Sequence, residues 1–537
     1  MEELTEIAEY LKDYKMYPGA LAKKYADRPA FIMASNGETV TYKEFEARSN
    51  QLAHFFRGEG LKKGDHYSIF MENNNRYLES NSAGERAGLI YTCINSYLKD
   101  EELAYILVNS DAKILITSVS KLDVVKKAVK QCSILKKILV VGAEKESLPD
   151  GMHDYVLTIS QYPASPIKDE SLGAAMLYSS GTTGRPKGIL RPLPDQKPDE
   201  PLPIMGFLSN LWNYSEDMVY LSPAPLYHSA PQAANSFAIR KGATTVIMEK
   251  FEPLEYLSLI EKYSITHSQL VPTMFSRMLK LSDEEKNRYD LSSLKYALHA
   301  AAPCPEKVKR QMIDWWGPII CEYYGATEAF GFAYCDTKEW LDHPGTVGKI
   351  MIGELTVMDE EMNELPAGEP GTLWFKPASE FNYHKEPEKT AEAYSPDKSL
   401  TTVGDVGYLD EDGFLYLTDR KAFMIISGGV NIYPQECEDL LISHPKVFDA
   451  AVFGVPNNDL GEEVKAVVQP VEKSISNEDL ATELLEYLHS NLSRQKVPRS
   501  IDFVTELPRL PTGKLYKRVL RDKYWGEGKN RIIQEYY

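Results

Sequence analysis

The sequence predicts an α/β protein: a large N-terminal domain of mixed α/β sheets with a β-rich subdomain, then a small α+β C-terminal domain. Three observations predict it. Short apolar runs of strand length alternate with amphipathic stretches through the first two-thirds of the 537 residues, the pattern of βαβ units around a largely parallel sheet. Turn-rich, strand-like text fills Gly345 to Pro377 (GELTVMD, GTLWFKP). The pattern changes again after Arg420, and we place the domain boundary there, giving 1-420 and 421-537.

In chain order, Thr41 stands three residues before Glu44, a capping-box spacing that opens a helix carrying Phe45, Leu52, Phe55 and Phe56. Tyr67 to Met71, Ala112 to Thr117 and Lys137 to Val141 read as buried strands, with an amphipathic helix from about Val119 to Gln131. A short strand, Ala174 to Leu177, precedes a Gly/Ser/Thr-rich loop. Arg191 to Pro203 carries five prolines and no apolar period, so it is a surface loop. Ala243 to Met248 reads as a strand, and Leu254 to Tyr263 and Pro305 to Trp316 as helices. In the C-terminal part, Pro434 to Ser443 reads as a helix, Ala450 to Val455 and Val464 to Gln469 as strands, and Asn477 as the cap of a helix reaching about Asn491.

Composition bounds the function. The net charge is −18 with 43% hydrophobic residues, which suits a soluble globular chain and disfavours nucleic acid as a partner, since that needs a basic surface. The six cysteines show no C-x-x-C spacing, so no zinc or redox site is expected. The N-terminal text lacks a signal-like apolar region, and no apolar run approaches a transmembrane segment. The expected location is cytoplasmic.

The richest segment is Tyr178-Ser179-Ser180-Gly181-Thr182-Thr183-Gly184-Arg185-Pro186-Lys187-Gly188. Glycines let backbone approach a ligand closely. The hydroxyls of Ser179, Ser180, Thr182 and Thr183 and the loop amides can bind phosphate oxygens, and Arg185 and Lys187 add positive charge. It is a phosphate cradle by chemistry, and it is not a Walker A loop, because Lys187 is followed by Gly188. Further on, Glu328 is a hard oxygen donor, Asp405 lies between Gly404 and Gly407, and Lys514 follows a Pro-Thr-Gly turn. Taken singly, each of these reads as a surface or turn residue.

YSSGTTGRPKG resembles the signature of the adenylate-forming (ANL) superfamily, the acyl-CoA synthetase, luciferase and adenylation-domain enzymes. Its other motifs follow in order: Tyr323-Tyr324-Gly325-Ala326-Thr327-Glu328, Gly404-Asp405-Val406-Gly407, Asp419-Arg420-Lys421, Ser427-Gly428-Gly429 and Pro511-Thr512-Gly513-Lys514. The resemblance implies ATP, Mg²⁺ and coenzyme A as cofactors and co-substrates, with Ser179, Ser180, Gly181, Thr182, Thr183, Gly184 and Lys187 on the phosphates. It implies Ala301, Ala302, Pro303, Tyr323, Tyr324 and Gly325 around adenine, Thr327 on the α-phosphate, Glu328 on magnesium, Asp405 on the ribose, and Arg420 on ribose or phosphates. Lys514 is implied to stabilise charge during adenylate formation, and Ser427, Gly428 and Gly429 to line a pantetheine tunnel in the second half-reaction, after a swing of a mobile C-terminal domain. His228, in Pro225-Leu226-Tyr227-His228, is implied at the acyl pocket, with a structural histidine as the alternative reading. Phe207, Trp212, Tyr227, Phe330 and Phe332 are candidates for the pocket wall. The chain departs from the family at Ala422, where the hinge residue is usually Lys or Asp.

The function so implied is an ATP-dependent carboxylic acid–CoA ligase acting on a small-molecule fatty or other lipid-like acid, with steroid or bile acids second. An acyl-AMP ligase loading a carrier protein is the alternative, although no carrier-like segment follows Lys514. A nucleotide-binding regulator that has lost catalysis is the third. A homodimer is compatible with each.

Overall fold

The structure, a computed structural model, describes residues 17–143, 148–179, 185–377, 379–420, 423–427, 430–457, 459–472, 476–509, 515 and 517–525. The chain packs as two compact units. The first comprises Met1–Leu270, Leu281–Leu298 and Ser379–Glu392; the second comprises Val271–Lys280, His299–Ala378 and Ala393–Tyr537.

In the first unit the apolar runs become a six-stranded sheet in the order Met152–Asp154, Lys137–Val141, Ile114–Ser118, His66–Phe70, Ile90–Cys93, Ala174–Ala175. Its pairings are parallel throughout. Ile114–Ser118 is buried along its whole length, as a parallel strand covered by helices on both faces must be. A second sheet runs Thr39–Thr41, Pro29–Met33, Thr244–Ile247, Val219–Ser222, His267–Leu270. Leu177–Ser179, Lys187–Leu190 and Asn382–Tyr383 form a small antiparallel sheet.

The second unit holds seven antiparallel strands in the order Ile320–Gly325, Phe332–Cys335, Gly348–Ile352, Phe414–Arg420, Asp405–Leu409, Gly371–Lys376, Glu354–Met358. The β-rich text from Gly345 onward is thus strand, and Gly348–Ile352 alternates buried and more exposed positions as a one-faced antiparallel strand does. Phe330, Ala333, Leu373, Phe375 and Leu415 form its core. The same unit contains the long hairpin Val447–Asn457 with Gly461–Pro470, backed by the helices Pro434–Ser443 and Glu478–Asn491. Both strands outrun their apolar cores, because backbone pairing carries on through the polar residues toward the turn.

Most local expectations hold. Thr41 accepts a hydrogen bond from the Glu44 amide at 3.2 Å, and Glu44 Oε2 accepts one from the Thr41 amide at 2.9 Å, closing the capping box. Asn477 accepts from the Leu480 amide at 2.9 Å. The helix expected over Val119 to Gln131 is α-helical only across Leu122–Ala128, with tighter 3₁₀ turns on either side. The helix Tyr77–Arg86 has no apolar period and was not expected. It is buried along its length, and its polar side chains find partners: Arg86 pairs with Glu46 at 2.8 Å, and Tyr155 donates to Glu79 at 3.1 Å. Among the described residues, no helix is long and apolar enough to cross a membrane.

Replacing Thr41 by alanine removes the side-chain half of the capping box, and urea unfolding is expected to show a loss of about 1 kcal/mol.

Candidate active site

In the first unit, the phosphate-cradle residues Ser180, Gly181, Thr182, Thr183 and Gly184 lie outside the described residues. Their flanks do not. Ser179 stands opposite Lys187, and Tyr178 opposite Gly188, in antiparallel register. The hairpin is fastened on both sides. Tyr178 donates to Asn109 Oδ1 at 2.5 Å and Tyr105 donates to the Pro186 carbonyl at 3.2 Å. The Lys187 ammonium lies 4.5 Å from the centroid of the Tyr383 ring, and the Arg185 guanidinium 5.0 Å from that of Tyr105. Burial pushes the Tyr178 phenol above its ordinary range, so it stays protonated as a donor. The loop therefore starts and ends at anchored backbone, with its two cations resting on aromatic faces.

His228 occupies the N-cap position of the helix Ser229–Lys241, with its ring 4.3 Å from that of Tyr227. The segment leading to it is held by a residue that the sequence did not single out. The buried Asn73 donates to the Ala224 carbonyl at 3.1 Å and the Met248 carbonyl at 2.8 Å, and accepts from the Leu226 amide at 2.8 Å. The run Asn73-Asn74-Asn75 after a strand reads as turn chemistry, which hides this tertiary role.

The second unit carries the remaining described candidates. Tyr323, Tyr324 and Gly325 end the strand Ile320–Gly325. The next residues make a tight turn in which the Ala329 amide donates to the Ala326 carbonyl at 3.0 Å, placing Thr327 and Glu328 at its centre. Glu328 is buried. Tyr323 stacks on Phe332 with centroids 5.4 Å apart. Tyr324 donates its hydroxyl hydrogen to Asp405 Oδ2 at 2.7 Å. Three strands separate Ile320–Gly325 from Asp405–Leu409 in the sheet order, so in a flat sheet they would stand about 19 Å apart. The sheet must curl for these side chains to meet. Gly404 supplies a φ of 78° just before Asp405. A Cβ on Gly407 would fall 2.3 Å from the Tyr416 carbonyl oxygen, so the neighbouring strand tolerates only glycine there.

The Ala301-Ala302-Pro303 segment is partly to fully exposed. Ala301 has a φ of 74° and Ala329 a φ of 59°. Left-handed backbone costs an L-residue roughly 1–2 kcal/mol, and such strain clusters at functional loops. Of the pocket-wall aromatics, Phe330 is fully buried against Phe375 at 4.8 Å, as a core residue. Ser427 ends the strand Ile425–Ser427, opposite Val430 and Gly461. Gly428, Gly429 and Lys514, like Ala422, lie outside the described residues, as does the side chain of Arg420. Chemically, the second unit offers a flat aromatic face, a carboxylate whose rotamer a tyrosine holds, a threonine hydroxyl and a buried carboxylate. That set suits a sugar-and-phosphate ligand carrying a hard cation.

Residues 20–381 match the family model described as AMP-binding enzyme, and residues 436–514 match that of the AMP-binding enzyme C-terminal domain. The chain is 28% identical to a long-chain-fatty-acid–CoA ligase of Escherichia coli O6:H1, over 95% of this chain and 94% of that protein. It is 29% identical to a crotonobetaine/carnitine–CoA ligase of Citrobacter koseri, over 93% and 97%. Among solved structures it resembles ATP-bound MatB from Rhodopseudomonas palustris, with a TM-score of 0.77 and 28% identity over 95% of this chain and 99% of that one.

Replacing Asn73 by alanine strands three buried backbone groups, and urea unfolding is expected to show a loss of about 3 kcal/mol.

Proposed function

We propose, from the premise that this chain belongs to the family of AMP-binding enzymes and is an AMP-forming acid–thiol ligase, that it joins a fatty or other lipid-like carboxylic acid to coenzyme A in the cytoplasm. The single observation behind the site is the Tyr324–Asp405 hydrogen bond at 2.7 Å between residues 81 positions apart. It draws two separate motifs, one with an aromatic face and one with a carboxylate, to one place beside the Thr327-Glu328 turn.

The chemistry runs in two halves. The acid's carboxylate oxygen attacks the α-phosphorus of ATP and pyrophosphate leaves, giving an acyl-adenylate. The thiol of coenzyme A, losing its proton, then attacks the acyl carbon, and AMP leaves with the bonding electrons. In the first half, Tyr324 and the Ala301–Pro303 wall hold adenine, while Asp405, oriented by Tyr324, accepts the ribose hydroxyls. Ser179 to Gly184 and Lys187 hold the β- and γ-phosphates, and Thr327 donates to the α-phosphate. Glu328 is a hard, buried carboxylate beside that turn, which fits Mg²⁺ shared with phosphate oxygens. Bound there, the metal would neutralise charge on the departing pyrophosphate. Lys514, on the 421-537 domain, stabilises charge between carboxylate and α-phosphate, with Arg420 at the domain junction. In the second half, Ser427, Gly428 and Gly429 line the path of the pantetheine arm. His228 contacts the acid's carboxylate.

The test is carboxylate-dependent ATP–pyrophosphate exchange over a panel of acids graded in length and ring content, followed by coenzyme A and thioester detection. Exchange and thioester with lipid-like acids is the expected result. Exchange without thioester would mark a carrier-loading enzyme; ATP binding without exchange, a regulator. Lys514→Ala should lower exchange by roughly 100-fold while attack on preformed acyl-adenylate survives, and equal loss of both would remove Lys514 from its role. Asp405→Ala should raise KM for ATP by about tenfold, with unchanged ATP kinetics the contrary result.

A further inference from the structure

One cluster of buried ionisable groups in the second unit has no part in the chemistry above. The Lys309 ammonium forms an ion pair with Glu322 Oε2 and sits 4.9 Å from the centroid of the Trp340 ring. His299 Nε2 lies 3.4 Å from the same carboxylate oxygen, and neither nitrogen of its ring has a hydrogen-bond partner among the described residues. Lys309 and His299 are 0% exposed and Glu322 is 4% exposed. Burial, with Lys309 adding to it, keeps His299 neutral, while Lys309 opposes the upward push of burial on Glu322.

The places of these residues in the chain carry the inference. His299 ends the strand Tyr296–His299, and Ala300 and the Ala301–Pro303 loop come next. That loop leads into the helix Glu306–Trp316, whose first turn brings Lys309 inward. The loop therefore lies between His299, which packs 3.4 Å from Glu322 Oε2 without hydrogen-bonding to it, and Lys309, which is ion-paired to that oxygen. Glu322 stands two residues before Tyr324 in the strand Ile320–Gly325, and residues i and i+2 of a strand share a face. A buried ion pair is seldom the most stable filling of such a space: apolar residues of similar volume do as well or better, while loss of one partner leaves the other charge buried and unpaired and is strongly destabilising. What the pair adds over an apolar contact is direction.

Resting on the function proposed above, we propose that Glu322 is a positioning residue for ATP: through its ion pair with Lys309, in the first turn of the helix that follows the Ala301–Pro303 loop, it ties the far end of that loop to the strand bearing Tyr324, and so sets the width of the gap that receives adenine. Glu322 touches no substrate. Its effect falls on nucleotide affinity and leaves the acid's affinity alone.

The experiment compares the wild type with Glu322→Gln and with Lys309→Met combined with Glu322→Leu. It measures urea unfolding, calorimetric binding of Mg–ATP, and KM for ATP and for the acid in pyrophosphate exchange. The double variant is expected to keep the wild-type unfolding midpoint yet bind ATP about tenfold more weakly, with KM for the acid within about twofold of wild type. Glu322→Gln, which retains one carbonyl oxygen as acceptor, should recover part of that affinity. A stable double variant whose ATP affinity stays within about twofold of wild type, or one whose two KM values rise together, overturns the proposal. Where the double variant does not fold, Glu322→Gln decides: weaker ATP binding at unchanged KM for the acid supports positioning, and unchanged ATP binding overturns it. A wild type that binds ATP and activates no acid would refute the proposed function while the calorimetry still decides this inference; a wild type that binds no ATP would sink both.

Discussion

The hydrogen bond from Tyr324 to Asp405 measures 2.7 Å, although three strands lie between their own in the ladder. A pleated sheet sets its neighbours about 4.8 Å apart, so this contact exists only because the seven antiparallel strands of the second unit roll up around Phe330, Leu373, Phe375 and Leu415. The curl does what no local segment could: it turns a tyrosine and an aspartate from separate motifs into one surface. Several of the described candidate residues also sit where a ladder stops. Ser179 and Gly325 end strands, Asp405 begins one, and Ala301 follows one. At such ends the chain leaves the ladder and turns into a loop.

That arrangement costs stability, and the costs are local. Two alanines take left-handed backbone at the loops on either side of the site's sequence motifs, each at roughly 1–2 kcal/mol. Charge is buried at Lys309 and Glu322. Surrounding apolar clusters offset these costs, including the fully buried Leu52, Ala53, Phe55 and Phe56 of the capped helix and the Val447–Asn457 hairpin core. The molecule spends burial in its sheets and helices to hold a few loops in conformations they would not choose.

Legibility followed the physical scale of each feature. The capping box, the buried parallel strands and the β-rich stretch depend on neighbours within a few residues, and each was readable from spacing. The Gly/Ser/Thr-rich loop reads as a phosphate cradle from its own chemistry, whereas Glu328, Asp405 and Lys514 stand out only through the resemblance of their motifs to a family's. The helix Tyr77–Arg86 was not readable, because its buried face is polar and is satisfied by Glu46 and Tyr155 from elsewhere in the chain. Asn73 hid inside an asparagine run that looks like a turn. Lys309 and Glu322 each look like ordinary surface charges until their strand and helix are brought together.

From the amino-acid order one learns the kinds of element, the order of the motifs and the family chemistry they resemble, since these rest on periodicity and on which atoms a side chain carries. Which distant side chains face one another is another matter. The pairing of Tyr324 with Asp405, the seat of Asn73 under the Leu226 amide, and the convergence of His299 and Lys309 on a single oxygen all come from packing. Sheet curvature and burial are sums over many residues, and no stretch of neighbouring letters contains them.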